Sequence, residues 1–472
     1  MMTSEEKVST YQKARRINLD GAHHGTFAEI GAGQEVARWF FRVGGAAATV
    51  AKTMSAYDMA VSDAVYGPCD RYVSRGRLQA MLDYEYNLLL ERLRARLSAG
   101  TMLFVFADTA AMGSSSRNEP GHAWIGVRFQ HRPEAEPSEI ILHVRMPEPD
   151  NVKKQAVLGI LGVNLIHGAF HENEAPAELI DSLRDDLARE RFEVDMIRFS
   201  GPAFAGIDNR LMSLQLVEQG FTPAALFGAD GEVLQPSEVL FQKPALVERG
   251  SFRPITRPSL DLLDRAASRF HAELAGQQAE PVILMEMSLR NLLSGGHIDH
   301  ADFLARVDIL GALGKTVAIS SFPHYYGLAE YLRLYTQQRI VFALGVPNLR
   351  RLFDESYYQE LDGGILEAMG RLFMRDVSLC AYPCRDAGIS GLTTAAGLEV
   401  APNLRHLYAH LLENGLICCI PAPDAPHLEI LPKQVLHMIE SGDPAWESLV
   451  PEEGVRLIKE RRVFGYRPPE GD

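Results

Sequence analysis

The second half of the chain alternates between short apolar runs and amphipathic segments, and this alternation is its strongest folding constraint. Five runs have the length of strands: PVILMEMS (281–288), KTVAISSF (315–322), RIVFALG (339–345), DVSLCAYP (376–383) and LICCIP (416–421). Segments with helical spacing, such as HADFLARVDILGALG, lie between them. Apolar strands linked by helices are typical of parallel β-α-β units. The sequence therefore predicts an α/β fold here, doubly wound or barrel-like.

The first half has a different rhythm, which predicts an α+β domain. TMLFVFAD (101–108) is a buried strand, and GHAWIGVRF and EIILHVRM flank the polar loop QHRPEAEPS as an antiparallel pair would. The Gly/Ala-rich stretch near the start is expected to be mainly helical. The segment 243–260, KPALVERGSFRPITRPSL, is richer in proline and basic residues. We place a boundary there, giving domains 1–250 and 251–472.

The totals exclude several classes of protein. A formal net charge of −14 repels polyanions, so no nucleic-acid partner is expected. Five cysteines, an odd number in 472 residues, do not form a disulfide framework and indicate a reducing compartment. The longest nearly apolar run, 156–170, is too short to cross a membrane and contains Asn164 and His167. We expect a soluble, cytoplasmic protein without membrane contact.

The stretch HHGTFAEIGAGQE, which begins at His23, has the pattern of a strand, a glycine turn and a helix start. One interpretation is a nucleotide-binding turn. Gly31 and Gly33 would let the backbone approach a phosphate, and a helix beginning near Gln34 would supply N–H groups. The pattern departs from the full dinucleotide motif, because Val36 stands where the third glycine belongs. A purely structural interpretation, close packing by small residues, remains open.

A more specific interpretation rests on a resemblance. FAEIGAG resembles the first motif of Rossmann-like S-adenosylmethionine methyltransferases, in which an acidic residue precedes a glycine turn. The resemblance implies that Glu29 and the segment Gly31–Gly33 line the cofactor and that Asp58 binds its ribose. Gln34 and Glu35 depart from the small residues that the family prefers, and Asp58 lies farther along the chain than usual. The resemblance covers about thirty residues, and the identity of any cofactor stays open.

Two further look-alikes are incomplete. GGAAATVAKT ends like a phosphate-binding loop, but Ala51 replaces the required glycine. Lys52 is then either a lysine that meets an anion or an exposed helix lysine. AALFGADGEVL resembles the first motif of haloacid-dehalogenase-type phosphatases, but Gly228 stands in place of the nucleophilic aspartate, so that chemistry is rejected. A hairpin around Asp230-Gly231 is predicted instead.

Candidate catalytic residues follow from the predicted α/β half, because ligands bind at the carboxyl ends of such strands. Glu286 lies within the apolar run ILMEM, where a buried carboxylate needs a basic partner or a shifted pKa. His324 follows the next strand directly. We predict Glu286 and His324 as an acid–base pair. The alternative is that Glu286 pairs with an arginine and that His324 caps a helix.

Candidate anion-binding residues lie at the ends of other predicted strands. Arg128, Arg145 and Arg198 would form a cationic patch if their strands are neighbours, and Ser321 could add a hydroxyl at the end of its own strand. Alternatively, each arginine pairs with a nearby carboxylate. Arg385 and Asp386 follow a further strand and belong to the same predicted edge.

Metal and nucleophile motifs are incomplete, so no metal site is predicted. His167 and His171 have helical ligand spacing, but the glutamate of H-E-x-x-H is missing. Cys380 and Cys384 are interpreted as core thiols. Our leading hypothesis is an enzyme acting on a small anionic molecule, phosphorylated or nucleotide-like. The competing one is a homo-oligomeric assembly protein, and the methyltransferase interpretation is third.

Overall fold

We describe a computed structural model of the full chain. The structure describes residues 8–96, 98, 100–113, 120–274, 280–294, 296–385, 391–421, 428 and 432–468. It divides into two compact units, Met1–Thr222 and Pro223–Asp472. The division falls earlier than position 250 because the segment that follows Thr222 pairs with strands of the second half.

The first unit contains six strands and seven helices among its described residues. The strands are β1 (His23–Ile30), β2 (Val50–Met54), β3 (Met102–Ala111), β4 (Gly121–Phe129), β5 (Ser138–Met146) and β6 (Glu193–Ser200). The helices are α1 (Thr10–Asp20), α2 (Glu35–Val43), α3 (Met59–Tyr66), α4 (Arg75–Leu93), α5 (Asn151–His171), α6 (Pro176–Ser182) and α7 (Asn209–Glu218).

One mixed sheet organises this unit, in the order β2-β1-β3-β4-β5-β6. β1 runs parallel to β2 and β3, whereas β3 to β6 form an antiparallel meander. The predicted β4–β5 pair is therefore confirmed. The structure differs from the expected helical start in one stretch, since only Ala46–Ala48 forms a short 3-10 turn before β2. Lys52 thus lies on a strand, because Val50–Met54 completes the parallel edge beside β1.

Helices cover both faces of this sheet. α4 packs against β1, β3 and β4, and Gly126 of β4 leaves room for Leu82 of α4. α1, α2 and α5 contribute to the core on the other face, together with the phenylalanines of β1 and β3. Gly162 of α5 lets α2 approach closely, because a Cβ there would lie 2.3 Å from Val36 Cγ2. The small residues therefore serve helix packing at this point.

The second unit contains ten strands and ten helices among the described residues. The strands are β7 (Ala224–Phe227), β8 (Val233–Leu234), β9 (Ala245–Arg249), β10 (Val282–Ser288), β11 (Leu293–Ser294), β12 (His297–Ile298), β13 (Thr316–Ser320), β14 (Ile340–Gly345), β15 (Val377–Tyr382) and β16 (Ile417–Cys419). The helices are α8 (Pro236–Leu240), α9 (Arg257–Glu273), α10 (Leu289–Leu292), α11 (His300–Ala312), α12 (Tyr325–Arg333), α13 (Val346–Leu352), α14 (Gly364–Leu372), α15 (Arg405–Glu413), α16 (Pro432–Ser441) and α17 (Glu452–Arg461).

An eight-stranded sheet forms the centre of the second unit, in the order β16-β15-β14-β9-β10-β13-β7-β8. The six strands from β16 to β13 are parallel, and the hairpin β7–β8 adds an antiparallel edge. The chain passes from β9 outward through β10 to β13, then returns to β14 on the other side of β9. The α/β prediction is confirmed. The sheet is open because it has two edges, and it is doubly wound because the strands proceed from β9 in both directions.

The central strand of this sheet comes from the segment that the sequence marked as a boundary. β9 pairs with β10 on one side and β14 on the other, although it contains Glu248 and Arg249. Both charged side chains are buried. No helix among the described residues combines the length and apolar character that crossing a membrane requires.

Candidate functional site

The carboxyl ends of the parallel strands in the second unit form the candidate site. In a doubly wound sheet the crevice lies where successive connections leave in opposite directions, here between β9 and β14. Arg249 is the last residue of β9, and Glu286 is its register partner on β10. Ser320 ends β13, the next strand along. Three polar side chains therefore meet at one edge of an otherwise apolar sheet.

Arg249 and Glu286 form a two-point ion pair in this edge. Arg249 Nε donates to Glu286 Oε2 at 2.5 Å, and Arg249 Nη2 donates to Glu286 Oε1 at 3.0 Å. Ser320 Oγ also donates to Glu286 Oε1, at 2.5 Å. Burial alone lowers the pKa of Arg249, but the neighbouring Glu286 carboxylate raises it above the ordinary value. The guanidinium thus stays charged and holds a fixed orientation.

These contacts decide between the two interpretations of Glu286. Both of its carboxylate oxygens are engaged by Arg249 and Ser320, and His324 is not among its described partners. The predicted Glu286–His324 acid–base pair is not brought together by hydrogen bonding. Glu286 instead orients Arg249, which the sequence analysis did not single out because its partner on β10 is set by register.

His324 lies at the start of α12, directly after β13. Its side chain makes no capping hydrogen bond, and its ring stacks on Tyr326 with centroids 5.4 Å apart. Burial, and next the charges of Arg249 and Arg290, lower the pKa of His324. The imidazole is therefore neutral near pH 7 and able to accept a proton.

Arginine charges predominate around His324, and Glu360 has a smaller opposing effect. The guanidinium carbon of Arg249 lies 5.0 Å from the ring centroid of the buried Tyr325. Arg290 and Arg351 are exposed, and their charges reach His324 and Tyr325 respectively. The amino end of the nine-residue helix α12 adds its dipole to the same region. This edge favours an anionic group.

Other residues predicted for this edge are placed differently. The amide and hydroxyl of Ser321 both donate to the carbonyl oxygen of Pro223, at 2.8 and 3.3 Å. The backbone amide of Arg385 donates to Leu428, and Asp386 lies outside the described residues. The hydroxyl of Ser321 therefore ties β13 to the chain before β7.

The helix amides beside the glycine turn of the first unit are already bound by a side chain of this protein. Glu29 Oε2 accepts from the amide of Val36 at 2.9 Å, and Oε1 accepts from the amide of Ala37 at 3.0 Å. These are the amides at the amino end of α2 that a phosphate would use. Gly31 has φ of +99°, and a Cβ there would lie 1.9 Å from the Ala110 carbonyl oxygen. Close packing thus requires this glycine.

A second buried acid faces Glu29. Asp108 of β3 is its register partner, and its Oδ1 accepts from the amide of Ile30 at 3.3 Å. Burial raises the pKa of Glu29 to about 7, and burial together with Glu29 raises that of Asp108 well above the ordinary range. The signal in the sequence was present, because TMLFVFAD ends an apolar run on this aspartate.

The remaining cofactor candidates of the first unit have separate contacts. Gln34 precedes α2 without a side-chain capping bond, and a Cβ at Gly33 would meet only Glu35 Oε1 at 3.7 Å. Asp58 caps α3 by accepting from the amide of Val61 at 3.1 Å. Lys52 forms an ion pair with the buried Glu85. Of these candidates, only Gly33 and Gln34 leave their turn open to a ligand.

The three arginines of the predicted patch lie on neighbouring strands but at different positions along the strand direction. Arg128 contacts Glu139 and Asp83, and Arg145 Nη1 donates to Glu193 at 2.9 Å. Six residues separate position 128 from His122, the register partner of Arg145, which is about 20 Å along a strand. Arg198 is the register partner of Ile141, between them. Arg128 and Arg145 are therefore not brought to a single site.

The histidine pair of α5 lies near His23, at the start of β1, whereas the glycine turn follows the end of that strand. The ring centroids of His167 and His171 are 4.6 Å apart, and His167 Nδ1 lies 3.3 Å from Glu172 Oε1. No group of three or more metal-binding side chains converges within the described part of the chain. A cavity of about 560 Å³ borders this pair and is lined by Gln12, Arg15, Arg16, Leu19, Asp20 and His171.

Comparison with known proteins gives structural likenesses only. No family model and no curated protein matches the sequence. Among solved structures, the competence/damage inducible protein CihA from Agrobacterium tumefaciens covers 34% of this chain and 94% of its own, with 16% identity and a TM-score of 0.25. Nicotinic acid mononucleotide adenylyltransferase from Plasmodium falciparum covers 48% of this chain and 99% of its own, with 13% identity and a TM-score of 0.30.

Proposed function

We propose that this protein is an enzyme that acts on a small anionic molecule, phosphorylated or nucleotide-like, at the carboxyl edge of the second sheet. The observation that carries the proposal is the buried Arg249, held by both oxygens of Glu286 at the end of the central strand. A fixed guanidinium at the switch point of a doubly wound sheet is suited to orienting a phosphate or carboxylate.

Each residue at this edge has a distinct role in the proposal. The exposed Arg290 and Arg351 attract the anion, and Arg249 orients it. His324, neutral because burial and two arginines lower its pKa, takes a proton from the reacting group. Glu286 and Ser320 are positioning residues, because they hold Arg249 rather than the ligand.

Calorimetric titration of the full chain with AMP tests the proposal. Replacing Arg290 and Arg351 together with alanine should weaken AMP binding by about tenfold or more, since each removes an exposed charge near the ligand. Arg456 of α17 offers a matched control, because it is exposed and pairs with Glu460 on its own helix. R456A should leave AMP binding unchanged. Equal binding by the double variant and by wild type would refute the proposed location.

Inorganic phosphate and ATP extend the same titration to ligand class. Binding of AMP and phosphate that depends on Arg290 and Arg351 supports an anion site at this edge. Absence of heat with AMP, ATP and phosphate alike would count against a phosphorylated substrate altogether. H324N should retain AMP binding, because His324 acts in proton transfer rather than in holding the anion.

Assembly into a homo-oligomer is the second candidate, and one feature favours it. Tyr57, Met59 and Val61, around the start of α3, are 75%, 63% and 51% exposed. Exposed apolar side chains that adjoin one another often mark contact surfaces. Native mass spectrometry of the wild type and of M59D would decide this, since an oligomer that survives M59D does not use this surface.

A further inference from the structure

A row of three hydrogen-bonded side chains, which we call the relay, crosses the antiparallel part of the first sheet. Asp195 of β6, His143 of β5 and His122 of β4 follow one another on the face that α4 covers. His143 Nδ1 lies 2.6 Å from Asp195 Oδ1, and His143 Nε2 lies 3.3 Å from His122 Nδ1. Asp195 and His143 are buried, whereas His122 is partly exposed. The relay therefore runs from the protein interior, at Asp195, toward the solvent, at His122.

The contact with Asp195 places a proton on one ring nitrogen of His143. A carboxylate only accepts, so His143 Nδ1 carries a proton and donates it to Asp195. In the second contact we assign His143 Nε2 as the acceptor and His122 Nδ1 as the donor. This leaves the lone pair on His122 Nε2, which has no hydrogen-bond partner among the described residues. An imidazole held in one tautomer with its outer nitrogen free has the arrangement of a general base.

The surroundings of His122 keep it neutral and bring positive charge close to it. Burial, and then the neighbouring His143, lower the pKa of His122 to about 4. Asp195 opposes this shift, and Arg71 and Arg145 add smaller lowering effects. Arg145 is the register partner of His122 on β5, and Arg71 is exposed. A neutral base on the strand next to Arg145, which also binds Glu193, and reached by the charge of Arg71 suits a substrate that carries both an anion and an acidic hydroxyl.

We propose that His122 is the general base of a second site, which takes a proton from a hydroxyl group of a phosphate-bearing small molecule held by Arg71 and Arg145. His143 and Asp195 are positioning residues of this site. The site lies wholly within the first unit and does not depend on the ligand proposed for the second.

The proton transfer along the relay of His122, His143 and Asp195 is balanced. The O–H bond of the substrate breaks, its electron pair stays on oxygen, and a bond forms between the proton and His122 Nε2. The proton on His122 Nδ1 passes to His143 Nε2, so that the positive charge comes to rest beside Asp195. Return of the proton to the oxygen reverses both steps, so the proton transfer itself is balanced by these side chains.

Nitrogen-15 NMR of the wild-type chain, labelled in its histidines, measures the tautomers directly. Both His122 and His143 should carry a proton on Nδ1 and none on Nε2, and H122N and H143N spectra assign the two signals. A proton on Nε2 of His122 would overturn the proposal, because the outer nitrogen would then be a donor.

Adding inorganic phosphate to the same sample tests the anion. The His122 signal should shift saturably, and R71A should weaken this binding by about tenfold. R92A is a matched control, since Arg92 is also solvent-exposed and pairs with its neighbour Glu91. An unshifted His122 signal, or equal binding by R71A and R92A, would overturn the proposed substrate class.

The role of Asp195 has its own readout. Diethyl pyrocarbonate should modify His122 at Nε2, and D195N should slow this reaction about tenfold because the charge that develops on the relay loses its carboxylate. Thermal unfolding identifies a D195N protein that is not folded, and in that event the tautomers of the wild type decide the question. A folded D195N protein that reacts at the wild-type rate would show that Asp195 does not act through His122.

Discussion

Asp108 lies directly across from Glu29 on neighbouring parallel strands, and both carboxyl groups are buried beneath the amino end of α2. Burial, and to a smaller extent the charge of Glu35, raise the pKa of Glu29, whereas the backbone amides of Val36 and Ala37 oppose the shift. Burial and the charge of Glu29 raise the pKa of Asp108 further still. The pair therefore holds a proton at a pH where exposed carboxyl groups have lost theirs.

This proton makes the stability of the first unit depend on pH. The pKa of Glu29 is raised from 4.5 to about 7 on folding, so the folded state binds more protons than the unfolded chain between these values. The stabilisation is complete below the unfolded pKa and is lost as the pH rises through about 7. We expect the free energy of unfolding, measured by urea titration, to fall between pH 5 and pH 8.

D108N should flatten this pH dependence, because it removes a buried carboxyl group whose own pKa is raised well above its ordinary range on folding. The loss of unfolding free energy between pH 5 and pH 8 should shrink by roughly 1–2 kcal/mol, since one unit of pKa corresponds to about 1.4 kcal/mol. The side-chain carbonyl oxygen that this substitution introduces can still accept from the amide of Ile30. An unchanged slope in D108N would show that the two carboxyl groups do not share their proton.

The glycine turn offers a matched pair of substitutions. Gly31 and Gly33 both have positive φ, but only Gly31 has a carbonyl oxygen where its Cβ would be. G31A should lower the unfolding free energy by roughly 3 kcal/mol or more, and G33A by about 1 kcal/mol from backbone strain alone. Urea titration compares them. Equal losses would mean that the packing against Ala110 is not what demands Gly31.

The buried ion pair of the second unit should be costly to break and cheap to replace. R249A or E286A leaves one charge unpaired in the sheet and should lower the unfolding free energy by roughly 3–5 kcal/mol. The double variant R249M/E286L should be less destabilised than either. Denaturant midpoints for the three variants measure this, and a double variant that loses the sum of the single losses would contradict a coupled pair.

Substitution of Lys52 distinguishes a structural ion pair from a contact with a ligand. K52M leaves the fully buried Glu85 without its cation, although Tyr66 still donates to it at 2.9 Å. We expect a loss of roughly 1–3 kcal/mol in unfolding free energy. K153M is the control, because Lys153 is exposed and its pair with Glu148 should contribute less than about 0.5 kcal/mol. A K52M protein with wild-type stability and weaker anion binding would instead support the interpretation of Lys52 as an anion contact.

The sequence predicted the elements whose apolar pattern is regular. The runs that became β10, β13, β14 and β15 are bounded by turn residues, and helices with clear spacing separate them. The hairpin around Asp230-Gly231 was also predictable from its turn. Each of these predictions depends on a few residues that are adjacent in the sequence.

Other elements depend on distant partners and were not predictable. β9 carries Glu248 and Arg249 and is followed by prolines, so its pattern is that of a connection, and only pairing with β10 and β14 makes it central. The partners of Glu286, Arg128 and Lys52 are fixed by strand register, which no local pattern gives. The spacing of apolar residues in ELIDSLRDDLARE (178–190) also predicts one helix, but α6 ends at Ser182 and Asp186 has φ of +60°.

The order of pairing in the two sheets has a consequence for synthesis on the ribosome. All strands of the first sheet lie before Thr222, so that sheet can form while the rest of the chain is still being made. β7 opens the second unit, but its partner β13 begins only at Thr316. Its apolar residues must therefore wait uncovered through a long interval of elongation, which makes this hairpin a natural segment for a nascent-chain chaperone to protect.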